Sequence, residues 1–421
     1  MSVADGVERP GPASRTIGVM SRPPAQSQPQ TADVIIEKMA AGGDGLGHLP
    51  DGRVVFATGG ITGETVRVSL TSNRKDFARG VVSTVLEADA HRLSPPCSAV
   101  SAGCGGCGWQ HISPDYQYQL KVQIVMDALR RTAKREGDDV AFGGAVSPWA
   151  YRTSARLAVE SDGRLGFRAG SAHRVVYHGA CPVLHPALSG MLGDLRVEGA
   201  DEVSLRVGVA SGERSLWAPG STVRVSGCDP AVGQGPDATV HERVADATLQ
   251  VTASSFFQSG PEAAVLLVDT VRSLVGDVAD LTGVVDAYGG VGLFSAALGL
   301  QGAVLVESSA SACADARANL AALEATVHHC TVEAWVPQEA PLVIADPARA
   351  GLGAAATAVL AATAAARIVL ISCDPVAFAR DVTLLAGVGY ELGQIRVLDL
   401  FPQTPHVEVV SLFHRQTGQP R

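Results

Sequence analysis

VVDAYGGVGLFSAALG, residues 284–299, decides how the second half of this chain is read. Two valines lead to an acid, then to Gly289, Gly290 and Gly292, and an apolar helix start follows. That is a strand, a glycine turn and a helix, with the glycines letting backbone approach a ligand at the strand's carboxyl end. A dinucleotide-binding fold would space its glycines GxGxxG, and no phosphate-cradling P-loop pattern is present either. Outward from this stretch, the apolar runs AVLVE, LVIAD and IVLIS alternate with Ala-rich helical segments. Such alternation predicts a parallel, doubly wound α/β sheet in the span 259–421. Pro261 and Glu262 suit the first turn of the helix that opens it.

Two acids close strands of this sheet. Glu307 ends AVLVE, where a carboxylate can accept both hydroxyls of a ribose, and Asp346 ends LVIAD. Together they point to S-adenosylmethionine, which needs ribose and methionine anchors but no pyrophosphate site; the alternative is a structural acid at each strand end. Cys373, in VLISCDPVAFARD, also stands at a strand end, before Asp374 and Pro375, which cannot continue a central strand. Its position alone leaves it as inert filler or as a nucleophile.

The first half has a different texture. Residues 1–31 are rich in Pro, Ser, Gln and Gly and read as a flexible tail. ADVIIEKM, GRVVFATG, ETVRVSL and FARGVVSTVLEA are short strands parted by glycine-rich turns, the spacing of a small β-barrel over residues 32–90. Residues 91–258 read as a β-rich central domain with strands in RTSARLAVE, VSLRVGV and STVRVSG, and the later part of Asp115–Arg135 reads as a helix.

A length of 421 residues suits two to four domains. The net charge of -9 argues against nucleic-acid binding by bulk electrostatics. Basic side chains nonetheless gather in the first third, at Arg74, Lys75 and Arg79 and along QLKVQIVMDALRRTAKRE. They form either a phosphate-tracking surface or solvated faces. No stretch reaches the roughly 20 uncharged apolar residues of a membrane helix, and no apolar secretory core is present, so a cytoplasmic location and no membrane partner are expected.

Among eight cysteines, PPCSAVSAGCGGCGWQH groups Cys97, Cys104 and Cys107, and Cys181 in VVYHGACPVLHP is the best fourth member. Cys228, Cys313 and Cys330 are isolated. Four thiolates serve zinc or an iron-sulfur cluster, and the lack of two paired CxxC knuckles favours [4Fe-4S]. His111, His178 and His185 lie close enough in sequence to replace a ligand.

In their shared order, CGGC followed by Trp109, Gln110 and His111, then GFRAGSAHRVVYHGAC, SSFFQSG, DAYGGVGLF, ADPARAG, ISCDP and DLFPQTPHVEVV resemble one family. They resemble the bacterial RNA uracil-5-methyltransferases that carry a TRAM domain and an iron-sulfur cluster, of the 23S rRNA 5-methyluridine type. The resemblance implies a multidomain α/β chain: a TRAM, OB-like barrel, a β-rich central domain with the Fe-S site, and a Rossmann-like class I methyltransferase domain. It implies that Cys97, Cys104, Cys107 and Cys181 hold a [4Fe-4S] cluster, and that Gln258, Tyr288, Glu307 and Asp346 contact S-adenosylmethionine. Cys373 would be the nucleophile and Glu408 the base.

The chemistry explains these residue types. Carbon 5 of uracil is a poor nucleophile until a thiolate adds at carbon 6, and a base must then remove the carbon 5 proton so that the cysteine leaves. The expected partner is RNA, ribosomal before transfer RNA, and the expected state is a monomer. A non-catalytic RNA-binding Fe-S protein of the same fold is the alternative from another class. Cytosine-5 methylation fits less well, because ADPARAG lacks the second cysteine that those RNA enzymes place there. The chain departs from the family pattern at Ala348 (for Pro), Asp374 (for Asn), Gly289 (for Cys) and Gly260 (for Asn). Asp374 is expected to disfavour the neighbouring thiolate, with Arg349 as the compensating cation.

Overall fold

The computed structural model describes residues 30–416 apart from 171–173, 177–179, 221 and 279. The tail expected over 1–31 lies outside the described residues except for its last two, and so does His178. Strands β1 (Thr31–Met39), β2 (Gly45–His48), β3 (Val54–Thr58), β4 (Thr65–Asn73) and β5 (Phe77–Glu87) close into a barrel in the order β1-β2-β3-β5-β4. Alternation of side chains puts Val34, Ile36, Val55, Val66 and Val68 inside it. β2 was expected as part of a turn, because GLGH reads as punctuation. Its glycine is required for pairing instead: a Cβ on Gly47 would stand 2.3 Å from the Ile35 carbonyl oxygen.

After the barrel come a short helix, α1 (Ser98–Ser101), then α2 (Pro114–Ala128) and β6 (Val140–Ala145). Helix α2 begins at the start of the expected stretch, with Ser113 before it and Pro114 at its first position, and Leu129–Ala133 continue it as a π-turn. Its basic residues are not a uniformly solvated face. Lys121 is fully buried, its Nζ 2.6 Å from Asp399 Oδ1 and 3.2 Å from the Phe401 carbonyl. Asp127 takes Lys38 of the barrel at 2.7 Å and also pairs with Arg130, so part of this positive charge is neutralised locally.

The central region contains β7 (Ser154–Val159), β8 (Leu165–Arg168), β9 (Val175–Val176), α3 (Pro186–Ser189), β10 (Arg196–Glu198), β11 (Glu202–Val207), β12 (Arg214–Trp217), β13 (Arg224–Ser226) and β14 (Gly233–Gln234). Six of these strands form a mainly antiparallel sheet, β14-β12-β11-β7-β8-β9, and β10 pairs with β13. A hairpin of β15 (Thr239–Val244) and β16 (Ala247–Thr252) leads to the last region.

There the elements are α4 (Pro261–Val275), β17 (Val285–Ala287), α5 (Leu293–Ala297), β18 (Val304–Glu307), α6 (Ala310–Asn319), β19 (Thr326–His329), β20 (Leu342–Ala345), α7 (Gly353–Ala362), β21 (Arg367–Ser372), α8 (Pro375–Gly387), β22 (Tyr390–Asp399) and β23 (Glu408–Arg415). The sheet order is β19-β18-β17-β20-β21-β23-β22-β6. Strands β19 to β21 are parallel, and β20 is buried throughout, as a sheet covered on both faces demands. β23 runs antiparallel between β21 and β22. The eighth strand, β6, comes from outside the span 259–421 and lies parallel to β22. Among the described residues no helix is long and apolar enough to cross a membrane.

The Lys121–Asp399 pair predicts an asymmetry in stability. Lys121→Met leaves a buried carboxylate unpaired and should cost about 3–5 kcal/mol, whereas Lys121→Met combined with Asp399→Leu should recover most of that loss. Urea unfolding midpoints of the three proteins test this, and equal losses in single and double variants would refute it.

Candidate active site

Parallel strands direct their carboxyl ends to one edge, where an open α/β sheet binds its ligands. Tyr288 follows β17 there with φ +59°, an uncommon conformation for a side-chain-bearing residue. Gly290 (φ +54°) and Gly292 (φ +88°) continue the turn, and a Cβ on Gly290 would meet nothing within 4 Å, so this face of the backbone is open. At position 289 a Cβ would lie 2.6 Å from Leu305 Cγ, which explains a glycine there in this chain. Glu307, at the end of β18, accepts from the Gly290 amide at 3.0 Å and the Ser309 amide at 2.6 Å. The carboxylate is thereby held beside the glycine turn. Gln258 is buried ahead of α4, and Asp346 directly follows β20, its amide bonded to the Ala287 carbonyl at 3.2 Å.

The reversal of β23 matters most for chemistry. Its register pairs Ile371 with Val410 and Ser372 with Val409, so the next step brings Glu408 across from Cys373. Residues 35 positions apart in sequence thus share the sheet's ligand-binding edge. Burial pushes the Cys373 thiol up to about 11; the Glu408 and Asp346 carboxylates push the same way, and Arg349 opposes them. Burial also holds the Glu408 carboxyl well above the usual range, reinforced by Asp346. Asp346 is raised too, by burial and by Asp286, which is itself pushed up to about 6 chiefly by burial. Asp286 is anchored by Ser295, whose hydroxyl donates at 2.6 Å and whose amide donates at 3.1 Å.

Asp374 behaves differently from expectation. Its Oδ1 accepts from the Val376 amide at 2.9 Å and the Ala377 amide at 2.8 Å, making it the N-cap of α8. The carboxylate is turned into the helix start, where backbone amides and the helix dipole compensate its charge. The carboxylates that raise the Cys373 thiol are Glu408 and Asp346.

Several supporting groups escape a motif-based reading. The loop from Asp399 to His406 carries the chain from β22 back into β23, and it is fastened from elsewhere. Besides Lys121, Gln117 of α2 accepts from the Gln403 amide at 2.8 Å and donates to Gln403 Oε1 at 3.1 Å. The Trp109 amide donates to the Gln403 carbonyl at 2.9 Å, Tyr151 Oη to Pro402 at 3.2 Å, and Ser259 Oγ to Leu400 at 3.1 Å. Arg349 Nη2 stands 3.5 Å from each ring nitrogen of His406. The only sequence signal for Gln117 and Lys121 is their helical i, i+4 spacing.

The four grouped cysteines meet at a different place. Cys97, Cys104, Cys107 and Cys181 all line one small cavity, together with Gln110, Arg152 and Phe167. Gly105 lets the loop approach β8: its amide donates to the Arg168 carbonyl at 2.9 Å, and a Cβ would stand 2.9 Å from that oxygen. Burial pushes the Cys107 thiol up to about 11, and Cys181, Cys104 and Cys97 add to the effect. Cys181 is raised likewise, by burial and then by Cys97 and Cys104. Among the described residues no group of three or more His, Cys, Asp or Glu stands close enough to hold a single metal ion. His111 is buried, with its Nε2 unpartnered among the described residues, and it does not line the cysteine cavity. His185 caps α3.

Residues 28–83 match the TRAM domain family. The chain is 32% identical over 422 residues to a protein of Streptomyces avermitilis named as an uncharacterized RNA methyltransferase, covering 90% of this chain and 97% of that one. It is 28% identical to a 23S rRNA (uracil(1939)-C(5))-methyltransferase of Shewanella halifaxensis, over 92% of this chain and 98% of that one. Among solved structures, a tRNA (uracil-54, C5)-methyltransferase of Pyrococcus abyssi in complex with S-adenosyl-L-homocysteine superposes with a TM-score of 0.68 at 25% identity. That match covers 91% of this chain and 99% of the other.

The geometry around Cys373 predicts two different responses in its alkylation rate, followed by mass spectrometry of its peptide. Asp374→Asn should leave the pH profile in place, because the cap is retained. Arg349→Gln removes the one cation that favours the thiolate, so the thiol titrates higher and reacts severalfold more slowly near about pH 8. A marked acceleration in Asp374→Asn would show that its charge does reach the sulfur.

Proposed function

The chain belongs to the RNA methyltransferase family, and from that premise we propose that it methylates carbon 5 of a uridine in RNA, with 23S ribosomal RNA as the favoured substrate. The observation that carries this reading is the β21–β23 register, which sets a cysteine and a carboxylate on one ligand-binding edge. S-adenosylmethionine, when bound, supplies the methyl group. Gln258, Tyr288, Glu307 and Asp346 suit it: the turn is open at Gly290, and Glu307 is fixed beside it by backbone amides.

Cys373 gives its proton to solvent and adds to carbon 6 of the uracil as the thiolate, the form that Arg349 favours. Electron density then reaches carbon 5, which takes the methyl group. Glu408 removes the proton from carbon 5, and the carbon 6–sulfur bond breaks to return the cysteine. The surroundings that raise the Glu408 carboxyl also make its ionised form a stronger base. The target base must leave its stack to reach this edge, at a cost of a few kcal/mol that is smallest in single-stranded loops.

The cysteine cavity suits a [4Fe-4S] cluster held by Cys97, Cys104, Cys107 and Cys181. Four soft donors converge on one space, and the mutual repulsion of their thiolates is what a cationic centre would relieve. The described residues hold no compact single-ion group, so the assignment rests on four thiols lining one cavity. Anaerobically purified protein should be brown, with about four irons per chain. Zinc without iron would overturn the assignment.

Two further outcomes are expected. RNA carrying 5-fluorouridine should trap a covalent complex that Cys373→Ala abolishes, because fluorine at carbon 5 cannot be removed as a proton. Glu408→Gln should still form the adduct with ordinary RNA but release it about 10²- to 10⁴-fold more slowly. Mapping 5-methyluridine in ribosomal and transfer RNA from a deletion strain identifies the substrate, and unchanged modification in both would falsify the reading.

A further inference from the structure

Alternate residues of three neighbouring central strands form an unusual sheet face. The registers place Ser204 opposite both Arg156 and Trp217, and Arg206 opposite both Ser154 and Ser215. Since side chains alternate across a strand, these six residues share one face, while Ala155, Leu157, Leu205 and Leu216 turn into the core. A sheet face of serines and arginines with one tryptophan has no apolar layer to bury. It instead floors an open cleft of about 280 Å³.

The cleft is walled by Phe256, which is 72% exposed, and by Phe257, Ser259 and Phe401. Arg152 also lines it, and lines the cysteine cavity as well. Phe401 and Ser259 belong to the assembly that holds the loop before Glu408, so the cleft opens beside the catalytic edge.

Three buried polar atoms here have no partner among the described residues: Arg206 Nε, Arg152 Nε and Ser215 Oγ. Arg206 is 8% exposed and Ser215 1%, so water cannot readily satisfy them. Arg206 is otherwise held by a 2.9 Å bond from Nη2 to the Ser255 carbonyl. Buried donors left unpaired are costly, and all three can donate. The ligand that suits them is rich in acceptor oxygens; Arg152, Arg156 and Arg206 line the cleft, with Glu202 3.8 Å from Arg156 and Glu242 and Asp315 acting on Arg206 from outside the lining. Trp217 and Phe256 add aromatic faces suited to a flat ring.

We propose that this cleft is a second nucleotide site, which takes a nucleotide flanking the target uridine, with its phosphate and base carbonyls on Arg206, Arg152 and Ser215 and its ring against Trp217. The proposal rests on RNA being the substrate. It makes the central sheet part of RNA selection, beside the barrel.

The test uses the full-length holoprotein and short RNAs containing the methylated uridine, with single abasic residues scanned through the flanking positions. One flanking abasic position should raise the KM about 10- to 100-fold, and Trp217→Ala should produce a similar rise with intact RNA. Combined, the two changes should give no further loss, because they remove the same contact. Arg156→Gln, an exposed change, guards against misfolding and should weaken RNA binding while leaving cofactor binding intact. Full additivity of the abasic and Trp217→Ala losses, or wild-type RNA affinity in both folded variants, overturns the proposal. If no uridine is methylated at all, the functional reading fails, whereas filter binding of the same abasic series still decides the cleft.

Discussion

The antiparallel insertion of β23 between β21 and β22 is the constraint on which the proposed pairing of Cys373 with Glu408 depends. In a wholly parallel sheet, Glu408 at the start of its strand would emerge at the edge opposite Cys373. Reversal puts a strand start beside a strand end, and the β21–β23 register aligns them. The loop from Asp399 to His406 makes this reversal, so its placement is part of the site. Lys121, Gln117, Tyr151, Ser259 and Trp109 all hold it, and the Lys121–Asp399 pair is strong in that setting because both partners are sequestered from water.

Trp109 joins three parts of the chain. Its amide reaches Gln403, its indole donates to Gly43 of the barrel at 3.1 Å, and Lys121 Nζ stands 5.9 Å from its ring centre. It lies two residues after Cys107. The cysteine loop, the TRAM barrel and the loop before Glu408 therefore meet at one buried residue, 1% exposed. A disturbance of the cysteine cavity has a short structural route to the catalytic edge.

Electrostatics at that edge follows from acids gathered within β17, after β20 and at the start of β23. Asp286, Asp346 and Glu408 are each raised, first by burial and then by a neighbouring carboxylate. Without a cation such a row favours protonation. Arg349, beside His406, is the protein's own counterweight at Cys373. Asp374, by contrast, is neutralised by the start of α8, so an Asp in place of Asn keeps the cap without charging the site.

Local chemistry made much of this legible in sequence. Apolar strands alternating with helices, the glycine turn after β17, the strand-end acids and the CGGC spacing depend on neighbours a few residues apart, and such patterns survive in one dimension. Strand β2 did not, because GLGH becomes a strand only through the close approach of β1 that its glycines permit. Nor could sequence reveal that β6 completes the last sheet, that Lys121 is buried against Asp399, or that Asp374 faces its own helix. The polar face of Arg156, Arg206 and Ser215 emerges only when three strands fall into register. By itself, the sequence determined the elements and the inventory of reactive side chains. Tertiary structure alone decided which of them meet and which charges act on one another, because register and burial are set by contacts between distant segments.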